Sequence, residues 1–346
     1  MGDILGIGTT HYPPGLVPGE YKAWPLARML HTDPRIPAHM KDPANWPEPM
    51  RAEWGNDEGV AAFAAHRDRV FSAFRILREE IDGFRPDLIL MWGDDQYENF
   101  QEDIVPPFCV LAYDTLAFQP FTRLRSRPNI WGEPNDKTFN WPGQRVAGRY
   151  LASKLLEAGI DMSYAYRPRH GDGVAHAFAN TLLYLDMDRQ GFPYPILPVT
   201  VSCYGRDVIR NQGGGSQHSI EADPPAPSPR RCFELGGATA RIFRDSPWRV
   251  VLMASSSWSH AFLTEKNHFL YPDLVADRIL LEQLRAGDYE SWRDLPLEQL
   301  EASGQHEVLN WVCLAGAMAE LGAKMELVDW VETWIFNAPK CQAIFR

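Results

Sequence analysis

Short, largely apolar segments alternate with segments of helical periodicity along most of this chain, and that alternation limits the fold more than any other feature. From Gly59 to Ile81 the apolar positions Val60, Phe63, Val70, Phe74 and Leu77 recur at helical spacing; Gly83 and then Pro86 stop the helix, and Asp87-Leu88-Ile89-Leu90-Met91-Trp92 follows as a strand. Strand, helix and buried strand in that order build a parallel βαβ unit, because parallel neighbours need a crossover and the crossover covers the sheet. The pattern recurs: a helix over 142–159 precedes a strand near 162–167, a helix over 176–187 precedes 195–204, and a helix over 229–243 precedes 248–254. Together with a first strand beginning at Ile4, these segments predict an α/β fold. The expected architecture is a single domain over 1–346, with a mainly parallel twisted central sheet and helices on both faces. Helices at 274–284 and 305–321 and an aromatic tail from Trp330 to Phe345 complete it, the tail being either a contact for a homo-oligomer or part of the chain's own core.

Two stretches interrupt the alternation. Residues 12–55 are rich in Pro and lack periodicity, which predicts a long ordered loop placed as a lid over a site. Residues 205–229 hold Gly213-Gly214-Gly215 and then a Pro-rich run, a flexible loop within the domain. A net charge of −11 argues against nucleic acid as the main partner, since phosphate binding needs a concentrated basic surface. No apolar run approaches the roughly 18 residues that span a bilayer, and no basic segment leads into a signal-type hydrophobic region, so a cytoplasmic protein is expected. The five cysteines are scattered without CxxC spacing, which fits buried thiols in a reducing compartment.

Chemistry-bearing residues gather where strands end. The first strand leads into Gly8-Thr9-Thr10-His11, and the strand near 250 leads into Ser255-Ser256-Ser257-Trp258-Ser259-His260. In an open α/β sheet ligands bind beyond the carboxyl ends of the strands, so the two histidines can converge on one site. His260 would serve as a general acid or base; the alternative for either histidine is a structural cap. The strand ending at Trp92 runs into Gly93-Asp94-Asp95-Gln96-Tyr97-Glu98, a set of carboxylates suited to a metal or to acid/base work. Glu307 opens an apolar helix, where the dipole favours an acid in any case and where a carboxylate can also be a ligand. Asp172 and His176 lie at the entry to another helix, with His170 and the arginines Arg167 and Arg169 nearby, the latter two being candidates for a substrate carboxylate.

Taken in order, Gly8 to Pro13, Asp94-Asp95-Gln96, Pro227 to Gly236, Ser257-Trp258-Ser259-His260 and Glu307 resemble the class III extradiol ring-cleaving dioxygenases, the superfamily of the protocatechuate 4,5-dioxygenase catalytic subunit. The resemblance implies a non-haem Fe(II) held by two histidines and a glutamate, with Mn or Zn as alternatives, and a small aromatic diol or aminophenol and dioxygen as substrates. It implies His11 and Glu307 as metal ligands and His260 as the neighbour that handles protons, with Asp172 and His176 as further catalytic candidates. Where the family carries Asp-His this chain has Asp95-Gln96, so Gln96, Asp95 or Asp94 stands at the second histidine's place. Two other functions follow from that substitution: a metal-free binding module or non-catalytic partner subunit, and a hydrolase using a different metal on an oxygen-rich site.

Overall fold

The computed structural model describes residues 2–18, 24–124, 127–170, 173–207 and 222–346. Ten strands are present among them: β1 (Ile4–Thr9), β2 (Leu88–Asp94), β3 (Phe108–Leu111), β4 (Thr115–Phe118), β5 (Phe139–Pro142), β6 (Ser163–Ala165), β7 (Ile196–Val201), β8 (Val250–Ser255), β9 (Met325–Val331) and β10 (Lys340–Phe345). The helices are α1 (Trp24–Thr32), α2 (Glu48–Trp54), α3 (Val60–Phe84), α4 (Arg145–Glu157), α5 (His176–Leu185), α6 (Pro229–Arg244), α7 (Leu274–Ala286), α8 (Tyr289–Arg293), α9 (Leu297–Ala302) and α10 (Val308–Leu321).

Eight strands form one sheet in the order β6-β3-β7-β2-β8-β1-β10-β9, and β4 pairs with β5 separately. The centre, β7-β2-β8-β1, is parallel throughout. The antiparallel pairings lie outside it, at β3-β7, β1-β10 and β10-β9. The aromatic tail is therefore a pair of strands that extends the sheet beside β1, and β10 is buried along its whole length. Strands of four residues or fewer, such as β3, β4 and β5, leave no run long enough to show alternation, which is why the sequence pattern passed over them.

Side chains along β2 alternate between two cores. Leu88, Leu90 and Trp92 pack with α4, α6 and α10 on one face, while Ile89 and Met91 pack with α3 and α5 on the other. Each such aliphatic side chain withdrawn from water contributes roughly 1.5–3 kcal/mol. Helix α3 starts where the Asp57 carboxylate accepts the N–H groups of Gly59, Val60 and Ala61. It runs through Gly83 and ends only at Arg85, in the left-handed region ahead of Pro86, so the proline and not the glycine stops it. Helices α6 and α10 touch backbone to backbone: a Cβ at Gly236 would lie 1.7 Å from the Cys313 carbonyl oxygen, and one at Gly316 2.1 Å from that of Phe233.

Residues of the 12–55 stretch form short helices and a small core of their own. Leu26, Ile36, Met40, Trp46 and Met50 pack there against Phe63, Leu270, Ile335 and Phe336. Among its described residues, the first turn, Pro13–Val17, borders the cavity described below. Of the 205–229 loop, residues 208–221 lie outside the described residues, and Ser228 caps α6 by accepting from the Arg231 N–H. All five cysteines are buried and none forms a disulfide. No helix among the described residues is long and apolar enough to cross a membrane.

Candidate metal centre

The carboxyl ends of β1, β2, β7 and β8 deliver side chains to one buried point. Past β1 comes His11; β2 ends on Asp94; Tyr204 follows β7; His260 follows β8; and Glu307 stands at the cap of α10. The hydroxyl run after β8 laces these elements together. Ser255 Oγ donates to the Ala177 carbonyl, Ser256 Oγ donates to the Glu307 carbonyl at 2.8 Å, and Ser257 Oγ bonds Thr10 Oγ1 at 2.8 Å. The Trp311 indole donates to the Ser256 carbonyl, and its ring lies where a Cβ on Gly8 would have to be, so only glycine fits that position of β1. Ser259 donates to the buried Asp277, which also accepts from Gln305 and so holds the turn carrying His260.

Both strand-end histidines are fixed through Nδ1. His11 Nδ1 lies 3.2 Å from the Ser255 carbonyl oxygen and His260 Nδ1 lies 2.9 Å from that of Trp258. A carbonyl can only accept, so Nδ1 carries the proton and each Nε2 presents a lone pair. Those lone pairs face one carboxylate, with His11 Nε2 3.6 Å from Glu307 Oε2 and His260 Nε2 3.5 Å from Glu307 Oε1. Burial pushes the imidazole of His11 down to about 4 and that of His260 to about 3, so both are neutral at pH 7.

Donor atoms of His11, Asp94 and Glu307 all lie within 4.8 Å of one another, and the three residues are 2%, 0% and 1% exposed. Burial, and then the charge of Asp94, pushes the Glu307 carboxyl well above its usual range, against the hydrogen bond from Tyr204. Tyr204 Oη donates to Glu307 Oε1 at 2.8 Å, but among the described residues Glu307 Oε2 and Asp94 Oδ1 have no hydrogen-bond partner. Orphaned buried oxygens beside an imidazole lone pair form a concentration of acceptors with no donor. A cation satisfies such a set, so these residues fit a metal ion.

The other candidate residues have different positions. Gln96 Nε2 lies 2.9 Å from Asp94 Oδ2, 3.0 Å from the Tyr204 hydroxyl and 3.1 Å from Glu307 Oε1, an amide bridge at the rim of the cluster. Asp95 turns away from the cluster and accepts the N–H groups of Glu98, Asn99 and Phe100, so it caps a turn, and Asp94 is the carboxylate that joins His11 and Glu307. Burial raises the Asp95 carboxyl to about 7. His176 opens α5, its ring 4.9 Å from that of His11. Asp172 lies outside the described residues. His170 and Arg169 share the exposed Asp103, away from the cluster, so Arg169 is not placed to meet a substrate there. Among the described residues, Arg123 and Arg127 stand on the wall of a cavity of about 290 Å³ that Gln96, Glu98 and His176 also line. Sequence reasoning missed Tyr204, whose signal was its place just past an apolar strand, and these two arginines, which follow no periodic segment.

Residues 218–336 match the family described as the catalytic LigB subunit of aromatic ring-opening dioxygenase. The chain is 28% identical over 245 residues to the 2,3-dihydroxyphenylpropionate/2,3-dihydroxicinnamic acid 1,2-dioxygenase 2 of Pseudomonas putida, covering 70% of this chain and 62% of that protein. It is 24% identical over 308 residues to the 2,3-dihydroxyphenylpropionate/2,3-dihydroxicinnamic acid 1,2-dioxygenase of Paraburkholderia phymatum, covering 75% and 85%. Among solved structures, an uncharacterized protein of Escherichia coli K12 superposes with a TM-score of 0.47 at 14% identity, over 80% of this chain and 91% of that one. The similarity to ring-opening dioxygenases thus covers residues 218–336 through the family and 70–75% of the chain through these two relatives, at 24–28% identity.

Proposed function

We propose that this protein is a metal-dependent extradiol dioxygenase that opens the ring of a catechol-like substrate bearing an acidic side chain, with Fe(II) as its metal. One observation carries the reading: His11, Asp94 and Glu307 converge at the strand ends with carboxylate oxygens left unsatisfied, beside a neutral His260 and an open cavity. His11, Asp94 and Glu307 would hold the ion, which when bound supplies Lewis acidity and a binding position for dioxygen. Ring opening consumes one catechol and one dioxygen and places both oxygen atoms in the product.

The chain's own residues do the remaining work. His260 Nε2, held as an acceptor by the bond from Nδ1 to Trp258, takes a proton from a substrate hydroxyl and returns it as the ring opens. Pro13, Leu16, Val17, Pro120 and Leu124 give the cavity an apolar wall for the aromatic ring. Arg123, ion-paired with Glu98, and Arg127 stand on that wall. A guanidinium suits a planar carboxylate, which is the basis for the acidic side chain. The names of the two relatives, each given for a dihydroxyphenylpropionate and a dihydroxycinnamic acid, agree with it.

The test is anaerobic purification, loading with Fe(II), and an oxygen-electrode assay with catechol and 2,3-dihydroxyphenylpropionate. Consumption of one dioxygen per ring, with a product absorbing in the near ultraviolet or visible, is expected. A chain that binds metal at well below one equivalent and leaves both diols intact refutes the reading. That result favours a metal-free binding module, for which the Gln96 amide, already bridging Asp94 and Glu307, supplies the specific support.

A further inference from the structure

We propose that His176 supplies the second imidazole of the metal centre from the start of α5, in place of the strand-end histidine that Gln96 replaces. The inference rests on the metal reading of the site given above. One imidazole and two carboxylates make a harder donor set than the two imidazoles and one carboxylate typical of non-haem iron sites, and Gln96 contributes only an amide. A second imidazole from elsewhere restores the balance; His260 Nε2, 3.5 Å from Glu307 Oε1, is assigned to the substrate proton, and His176 is the further imidazole that stands against His11.

The His11 and His176 rings stand 4.9 Å apart between centroids, with their planes 89° to each other. Metal–nitrogen bonds of about 2.1 Å place the rings of two imidazoles sharing one ion roughly 4.5–5.2 Å apart. The Nδ1 side of His176 is already committed, since Glu98 Oε1 and Oε2 lie 3.0 and 3.1 Å from it and Glu98 Oε2 also accepts the backbone N–H at 2.9 Å. A carboxylate on Nδ1 fixes the proton there and leaves Nε2 as the lone-pair nitrogen, the arrangement that supports metal-ligating histidines. Glu98 is itself anchored by an ion pair with Arg123. A glutamate serving only as a helix cap needs the backbone N–H alone; gripping the ring as well is an additional restraint, and it orients the imidazole. Asp94 is, after burial, the strongest influence on the charge state of both His11 and His176, so the two rings share one carboxylate neighbour.

The donor atom of His176 lies outside the group that falls within 4.8 Å, so the ring must move inward when an ion binds. The adjoining cavity, which His176 lines, leaves room for that shift. Under this assignment His176 is a ligand and not a proton carrier, and Arg123, Glu98 and His176 form a chain of contacts from the cavity wall to the metal.

Two measurements test it, neither depending on turnover. The full chain is loaded with one equivalent of Cu(II), and the nitrogen modulation of its pulsed electron paramagnetic resonance counts coordinated imidazoles; Fe(II) affinity is measured by competition with a chelator. His176→Ala is expected to show one imidazole fewer than the wild type and to bind Fe(II) at least 10-fold more weakly, while Gln96→Ala keeps the wild-type count. If the alanine variant does not fold, His176→Gln, which retains a donor for Glu98, takes its place. An unchanged count in the His176 variant overturns the assignment and leaves the metal reading intact. If the wild type binds neither ion, or His11→Ala also leaves the count unchanged, the metal reading itself fails and the assignment with it.

Discussion

Replacing Glu307 by glutamine is expected to stabilise the metal-free protein while abolishing its response to metal. The substitution is nearly isosteric, and its carbonyl oxygen keeps the bonds from Tyr204 and Gln96, while the new amide replaces the orphaned Oε2 that faces His11 Nε2 at 3.6 Å. The Glu307 carboxyl is raised well above 4.5 in the folded chain. A carboxyl raised on folding contributes stability that is complete below its unfolded value and is lost as pH rises through the folded one. Each pH unit in that window costs about 1.4 kcal/mol, so the wild type carries a destabilisation that begins near pH 4.5, grows as pH rises toward the folded value and is relieved by Glu307→Gln, whereas at pH 4.5 the two chains match. Unfolding 346 residues at about 2.1 cal/mol/K each has an entropy of roughly 0.7 kcal/mol/K, so each kcal/mol of that difference moves Tm by about 1.4 °C. Fe(II) at 100 times its Kd stabilises the wild type by about 2.7 kcal/mol, which raises its Tm by about 4 °C, and leaves the variant where it was. Differential scanning calorimetry under anaerobic conditions, with and without Fe(II), reads both effects. A variant that melts below the metal-free wild type at pH 6.5, or that still rises with Fe(II), refutes the argument that these acceptors wait for a cation.

Other outcomes follow from neighbouring contacts. Asp95→Ala leaves the N–H groups of Glu98, Asn99 and Phe100 without their acceptor and is expected to cost about 2–3 kcal/mol in urea unfolding, with Fe(II) affinity lowered only through the displaced Glu98. His260→Ala is expected to bind Fe(II) as the wild type does and to lose about 10²–10⁴-fold in kcat, measured with a catechol in the oxygen electrode. Its imidazole is depressed to about 3 in the folded chain, so it contributes stability that is full above 6.5 and falls away with acid. The variant is therefore expected to lose about 1.4 kcal/mol per pH unit less than the wild type between pH 6 and 4, read from urea midpoints. Arg127→Gln is expected to raise KM for 2,3-dihydroxyphenylpropionate about 10-fold or more and to leave that for catechol unchanged; equal effects on both would remove the carboxylate from the proposed substrate.

The sheet was legible because the central strands are buried on both faces and are written as unbroken apolar runs, as Leu88 to Trp92 shows. His11, His260 and Glu307 were legible because each follows or caps such an element, at the end where α/β sheets bind ligands. The choice between Asp94 and Asp95 was not, since it depends on where β2 stops: Asp94 is still in register with Val201 of β7, and Asp95 begins the turn. Neither was the use of the hydroxyl run. Ser255, Ser256 and Ser257 mark an unusual strand end in the sequence, but their partners Ala177, Glu307 and Thr10 lie 78, 51 and 247 positions away. His170 and His176 are equally plausible by spacing, and only the fold sends one to the exposed Asp103 and the other toward His11.

The place of β1 between β8 and β10 sets the order in which the protein can be completed. The strand that aims His11 is made ahead of the other strands named here, yet its two partners begin at Val250 and Lys340. Throughout most of synthesis β1 has no neighbour to pair with, and closing so long a loop is slow compared with local helix formation. β1 is paired on both sides only after β10 has been made. A chain that stops before Lys340 therefore presents an unpaired strand edge, and one that stops before Glu307 also lacks a residue of the centre, the condition under which aggregation competes with folding.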